Sequence, residues 1–257
     1  MANRILLLCA AATVGLRQGR FPAGGALETS DAFGAFDTPD TPDTLDRHGR
    51  AAIAAARTRL AALPWTQGTA FSSPAAAALQ TAVALGHVPR VDAALRDTDY
   101  GQWGGRSLKD IARTDPEHLQ AWLTDDAVAP PAGESFVQVL ARVDAWLEAM
   151  LAAAANATAR DAAPASADVP ATAFAQASVI AVTHPTVMRA AALRGGGMSP
   201  GPATRMDIAP LSVMALERRC DAWACARPQA HPPCNRVNMN EATRFAASFP
   251  SNTGCSS

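Results

Sequence analysis

The chain has 257 residues, enough for one substantial core, and 49% of them are hydrophobic against 18% charged. A formal net charge of -1 leaves no electrostatic footprint for nucleic acid or an acidic membrane surface. The five cysteines are odd in number and scattered, which argues against a disulfide-stapled secreted domain.

The first element is Ile5 to Leu8, an apolar run that ends in Cys9-Ala10-Ala11 and passes into polar Arg17-Gln18-Gly19-Arg20. A secretory leader, a helix and a buried strand feeding a loop all compete for it. The single positive charge at Arg4 suits a leader, but the AAAT stretch is weakly apolar, and the strand reading is preferred. A cytoplasmic protein is therefore expected. The longest apolar runs, ILLLCAAA and ASVIAV among them, are too short to span a bilayer.

Residues 29–46 form a Pro/Asp/Thr-rich loop with a short TPD repeat, and Arg50 to Leu63 reads as an amphipathic helix ending before Pro64. Ala70 to Ser73 ends a short strand, and Pro74 opens a helix that stops at Gly86. DTDYGQWGG is a turn-rich aromatic loop, in which Trp103 is expected to pack beneath the chain. Residues 107–125 look helical, and APPAGES leads into the helix FVQVLARVDAWLEAMLAAA.

From about 156 to 176 the chain is Ala/Pro/Ser/Asp-rich without periodicity, the composition of a flexible insertion. ASVIAVTH then reads as a strand ending in a histidine, followed by a helix with Pro185 at its first position and a glycine stop. After Leu216 comes ERRCDAW, and residues 228–257 read as a poorly ordered tail, leaving one domain over 1–227. Cys220, Cys225, His231 and Cys234 cluster as C-x4-C-x5-H-x2-C, without the paired C-x2-C knuckles of a zinc site, so no metal is expected.

Strands alternating with helices predict an α/β three-layer sandwich, a mostly parallel sheet with helices on both faces. Ligands in such folds sit beyond the carboxyl ends of the strands. Leu8-Cys9-Ala10 and Thr183-His184 are therefore the ends to watch, and the two strands are expected to be neighbours.

Five stretches in order resemble the histidine phosphatase superfamily, the phosphoglycerate mutase-like fold, over roughly residues 4–220. RILLLCAAATVGLRQGRF stands against strand-R-H-G-E-T-x-x-N-x-x-G-R-F, and FSSPAAAALQTA against S-P-x-x-R-A-x-Q-T-A. LRDTDYGQWGGRSL resembles L-x-E-x-x-x-G-x-W-E-G, PAGESFVQVLARVDAWL the G-G-E-S helix, and VIAVTHPTVMRA the pattern V-x-V-x-H-G-x-x-I-R.

The resemblance implies phosphomonoester hydrolysis through a phosphohistidine, with two arginines and a second histidine binding the dianion and a carboxylic acid protonating the leaving oxygen. Here the R-H-G position reads Cys9-Ala10-Ala11, and the arginine after S-P is Ala77. His184 stands at the second histidine and Asp97, shorter than the usual Glu, at the acid position, while Thr13, Gly19, Arg20 and Phe21 also match. Pro185 removes a backbone N–H that usually faces the phosphate.

The resemblance thus implies a phosphatase impaired by loss of its nucleophile, acting on or binding a small phosphorylated molecule and needing no cofactor. Cys9, Thr13, Arg17, Arg20 and Ala77 would line the phosphate pocket around Ala10, His184 and Asp97. Two alternatives remain open: hydrolysis by a nonstandard route, with Cys9 as nucleophile or water activated by His184 and Asp97, and a module that binds a phospho-ligand or partner without catalysis. Cys9 reads equally as an inert buried thiol, Asp97 as a solvated loop charge, and Arg17 and Arg20 as surface charges. Arg47-His48-Gly49 spells R-H-G but precedes a helix rather than following a buried strand, and is expected to lie far from the pocket.

Overall fold

A computed structural model describes residues 4–24, 42–61, 69–161, 178–195, 206–219 and 222–226. In chain order the elements are β1 (Arg4–Cys9), α1 (Val14–Arg17), α2 (Arg47–Ala61), β2 (Thr69–Ser72), α3 (Ala76–Ala84) and β3 (Arg90–Val91). Then follow α4 (Leu108–Thr114), α5 (Pro116–Thr124), α6 (Phe136–Asp161), β4 (Ser178–Thr183), α7 (Pro185–Arg194), β5 (Val213–Arg219) and β6 (Ala222–Ala226).

Six strands make one sheet in the order β3-β2-β4-β1-β5-β6. β3, β2, β4 and β1 run parallel, and β5 pairs antiparallel with β1 and with β6. Alternation along β1 divides the core: Ile5, Leu7 and Cys9 pack with α6 and α7 residues such as Val143, Leu147 and Met188. Leu8 and Ala10 pack on the opposite face with Ile53 and Leu60 of α2 and Ala78 and Ala82 of α3. A sheet covered on both faces explains why β1 and β4 read as continuous apolar runs. Phe21, Tyr100, Trp103 and Trp122 form a separate aromatic cluster beside the sheet, and Trp103 is buried at its centre.

β1 and β4 are neighbours, with Cys9 opposite Thr183, as the sequence implied. Several boundaries differ from expectation. α2 begins three residues early at Arg47, where Asp46 accepts the Gly49 N–H and caps the turn. The helical stretch 107–125 is two helices, because Pro116 opens a new one after Asp115. α6 continues to Asp161, so the segment expected to be irregular from 156 is helical at its start. Alanine carries that extension, being the strongest helix former. Residues 162–176 and the tail 228–257 lie outside the described residues.

The antiparallel pair β5–β6 is not foreshadowed by the sequence pattern. It completes the sheet beside β1 and places Leu216 and Trp223 in the core.

Candidate functional site

The parallel register brings the carboxyl ends of β1, β2 and β4 side by side. The Ala10 N–H donates to Thr183 O at 2.8 Å, and the Ser73 N–H to Val182 O at 2.9 Å. His184, next along β4, is almost wholly buried and immediately precedes α7. Its Nε2 lies 2.8 Å from the Ser73 hydroxyl, and its Nδ1 lies 3.7 Å from Asp97 Oδ2.

Asp97 reaches this point on the arm that follows β3. Arg142 of α6 fixes the arm from beneath: its guanidinium donates to Ala94 O at 2.6 Å and Arg96 O at 3.0 Å. The same fork grips Glu134 through two bonds of 3.0 and 2.8 Å, and Arg96 reaches that carboxylate at 2.9 Å. Backbone is pressed on backbone beside it. A methyl on Gly101, whose φ is +49°, would meet Pro131 O at 2.3 Å, so this turn admits only glycine. The Glu134 N–H closes the joint on Asp99 O at 2.7 Å.

Burial pushes the His184 pKa below its ordinary value, with Asp97 opposing that shift and Arg142 reinforcing it. The ring is therefore a neutral imidazole near pH 7. Burial pushes the Cys9 thiol up to about 12; Asp97 adds to this, and Arg189 and a bond to Leu211 work against it. The Tyr100 hydroxyl is also pushed up by burial and by Asp97, and it bonds to Thr186 and Thr98.

Of the residues singled out from sequence, His184 and Asp97 approach each other, and Ala10 is tied by its backbone to Thr183, the neighbour of His184. Cys9 points to the α6/α7 face, 2% exposed. Ala10 and Ala77 share one apolar cluster with Ala11, Leu8 and Val182, at 8% and 6% exposed. Where a nucleophile and an arginine were sought, the structure has packed methyl groups.

Thr13 caps α1, its hydroxyl accepting the Leu16 N–H at 3.2 Å. Arg17 is committed to Asp46 and to Ala12 O, and Arg20 bonds Gln18 and Gly105 O at the surface. The bonds these two arginines make thus tie loops together. The R-H-G decoy also departs from expectation: a methyl on Gly49 would sit 2.8 Å from Ala12 O. Gly49, at the start of α2, therefore abuts the loop that follows β1.

Ser73, Glu134 and Arg142 lie inside the short motifs, but nothing in those motifs signals their partners. Their partners stand 111, 38 and 8 residues away, so only the fold reveals them. Among the described residues no group of three or more His, Cys, Asp or Glu could hold a metal, and Cys220, His231 and Cys234 lie outside those residues. No helix among them is long and apolar enough to cross a membrane.

A profile of the histidine phosphatase superfamily (branch 1) matches residues 34–230. Glucosyl-3-phosphoglycerate phosphatase of Mycobacterium tuberculosis is 43% identical over 75 residues, 28% of this chain and 34% of that protein. A bifunctional protein of the same organism is 41% identical over 76 residues, 28% of this chain and 21% of its own length. These matches thus span about a third or less of the curated relatives. Among solved structures, a protein described as mycobacterial hydrolase 1 superposes with a TM-score of 0.65 at 24% identity, covering 90% of this chain and all 100% of that one. A mycobacterial glucosyl-3-phosphoglycerate phosphatase complexed with VO3 gives 0.63 at 23% identity, covering 87% and 97%.

Proposed function

The chain belongs to the histidine phosphatase superfamily (branch 1), and from that premise we propose that it keeps a phosphomonoesterase scaffold without phosphohistidine chemistry. The observation that carries this reading is Ala10 just past the carboxyl end of β1, bonded to Thr183 O and buried in one apolar cluster with Ala77. A methyl group cannot attack phosphorus, and neither Cys9 nor Ala77 supplies the guanidinium fork that holds a dianion. Arg17 and Arg20 do not replace them, since the bonds they make are to Asp46, Ala12, Gln18 and Gly105.

The ligand class this reading implies is a small phosphate monoester, as glucosyl-3-phosphoglycerate is for the Mycobacterium tuberculosis relative. Hydrolysis through Cys9 is disfavoured, because a thiol held near 12 is protonated at neutral pH and is no nucleophile. The second reading rests on one observation, His184 beside the Asp97 carboxylate, and activation of water there would require His184 Nε2 to leave the Ser73 hydroxyl. Without charge stabilisation at the phosphoryl oxygens, such a route is slow.

The test is to rebuild the missing groups and follow turnover of an aryl phosphate at pH about 6 to 8, where imidazole can be neutral. Ala10→His alone should give weak activity at most. Adding Cys9→Arg or Ala77→Arg should give more than the sum of the single changes, because nucleophile and charge clamp act as a unit. If every combination stays at the level of the unmodified chain, this pocket does not position groups as a phosphatase does.

A further inference from the structure

The side chains at the site form an ordered line from Ser73 through His184 to Asp97. Ser73 Oγ is 2.8 Å from His184 Nε2, and His184 Nδ1 faces Asp97 Oδ2 across 3.7 Å. The order is that of a serine hydrolase triad. Ser73 is fully buried, at 0% exposed, so its hydroxyl meets no substrate. Its role has to be sought in what it does to the imidazole.

Donors and acceptors along this line settle in one direction. The Ala75 N–H donates to Ser73 Oγ at 3.2 Å, so one lone pair of that oxygen is taken. The hydroxyl proton, in a fully buried site, needs an acceptor, because an unmade bond there costs the full desolvation of the group. The acceptor within reach is His184 Nε2. A neutral imidazole carries one N–H, and an Nε2 that accepts puts that proton on Nδ1. Asp97 faces Nδ1, and its carboxylate attracts an N–H there and repels a lone pair. Its other oxygen accepts the Thr98 N–H at 2.9 Å, which fixes the carboxylate.

The backbone holds both ends of this line in register. Ser73 is tied to Val182 and Thr183 Oγ1 donates to Leu95 O at 2.8 Å, so β2, β4 and the arm before Asp97 cannot slide independently.

We propose that Ser73 is a positioning residue that locks His184 in the Nδ1–H tautomer, with the proton turned to Asp97 and the Nε2 lone pair turned to the serine. His184 then offers no free N–H to a phosphoryl oxygen while it is neutral. This tautomer deepens the reading of the site as one without phosphoryl-transfer chemistry, and rests on it. Its readout is spectroscopic, so it stands or falls apart from any turnover result.

The experiment is 15N NMR of the imidazole rings in the full chain, labelled at histidine, at a pH where His184 is neutral, with its signals assigned by their loss in His184→Gln. The unmodified protein should show Nδ1 in the protonated range and Nε2 in the unprotonated, hydrogen-bonded range. The reverse pattern overturns the proposal, and this arm needs no Ser73 variant to fold. Ser73→Ala should move the tautomer ratio towards Nε2–H by about fivefold, the worth of one ordinary hydrogen bond. Ser73→Thr, which keeps the hydroxyl, should restore the original ratio. A Ser73→Ala protein with the ratio unchanged would show that Asp97 alone sets the tautomer, and Ser73 would lose the role assigned to it.

Discussion

Replacing Arg142 with methionine removes the fork beneath the Asp97 arm and leaves most of the helix face it lies on intact. Arg142 and Glu134 have side chains only 11% and 10% exposed, so the pair is close to a buried one. The change deletes two bonds to Glu134 and the bonds to Ala94 O and Arg96 O, all between 2.6 and 3.0 Å. Breaking a buried ion pair from one side costs about 3 to 5 kcal/mol. Arg96 still reaches Glu134 at 2.9 Å from a more exposed position, which puts the expectation at the lower end, about 3 kcal/mol. Against a total stability of about 5 to 15 kcal/mol, that is a large fraction.

Urea unfolding followed by far-UV circular dichroism measures the loss as a shift in midpoint at unchanged slope. Arg142→Lys should recover only part of it, because an ammonium cannot bridge carboxylate and carbonyls in one plane. Arg142→Met together with Glu134→Gln should cost less than Arg142→Met alone, since no charge is then stranded. A loss below about 1 kcal/mol for Arg142→Met, the worth of a surface pair, would refute the claim that this fork anchors the arm.

Three further outcomes follow from the same geometry. Cys9 should escape a thiol reagent at pH 8 in the native protein: native labelling of the unmodified chain and of Cys9→Ala should match, whereas in denaturant the unmodified chain should react at one more site. The native thiol keeps its proton to about 12 while an unfolded thiol loses it near 9.0, so the native state binds more protons in that window. Stability should therefore fall as pH rises from about 9 towards 12, and this part of the fall should be absent in Cys9→Ala. Gly101→Ala should lower the melting temperature by several degrees, since its methyl would lie 2.3 Å from Pro131 O at a φ of +49°. An unchanged melting temperature would mean that the joint between the Asp97 arm and α6 yields freely.

Much of the sheet was legible in the sequence because β1 and β4 are buried on both faces, so RILLLC and SVIAVT read as continuous apolar runs. β5 was not, since VMALERR mixes apolar and charged residues. Its strand character comes from pairing with β1 across some two hundred positions of sequence, as Leu8 opposite Val213 illustrates. The far end of α6 is not legible because its alanine-rich run merges into Ala/Pro/Ser/Asp-rich sequence without sustained hydrophobic periodicity, although alanine by itself favours a helix. At the site, Ala10, Ala77, His184 and Asp97 could be located from short motifs, since each sits at a fixed offset from a strand end. The bond from Ser73 to His184 and the grip of Arg142 on Glu134 depend on side chains that meet only after folding. Gly49 packs against Ala12 of the loop after β1, a proximity that its place before a helix does not signal.

Turnover of an aryl phosphate by the unmodified full chain tests the central claim most directly, with phosphate release measured under saturating substrate between pH 6 and 8. With a methyl group at position 10 and a protonated thiol at position 9, the account predicts a rate far below those of ordinary enzymes and no acid-labile phosphoenzyme on rapid quenching. A rate on the order of 1 per second or faster, lost in His184→Gln and so belonging to this site, would contradict it.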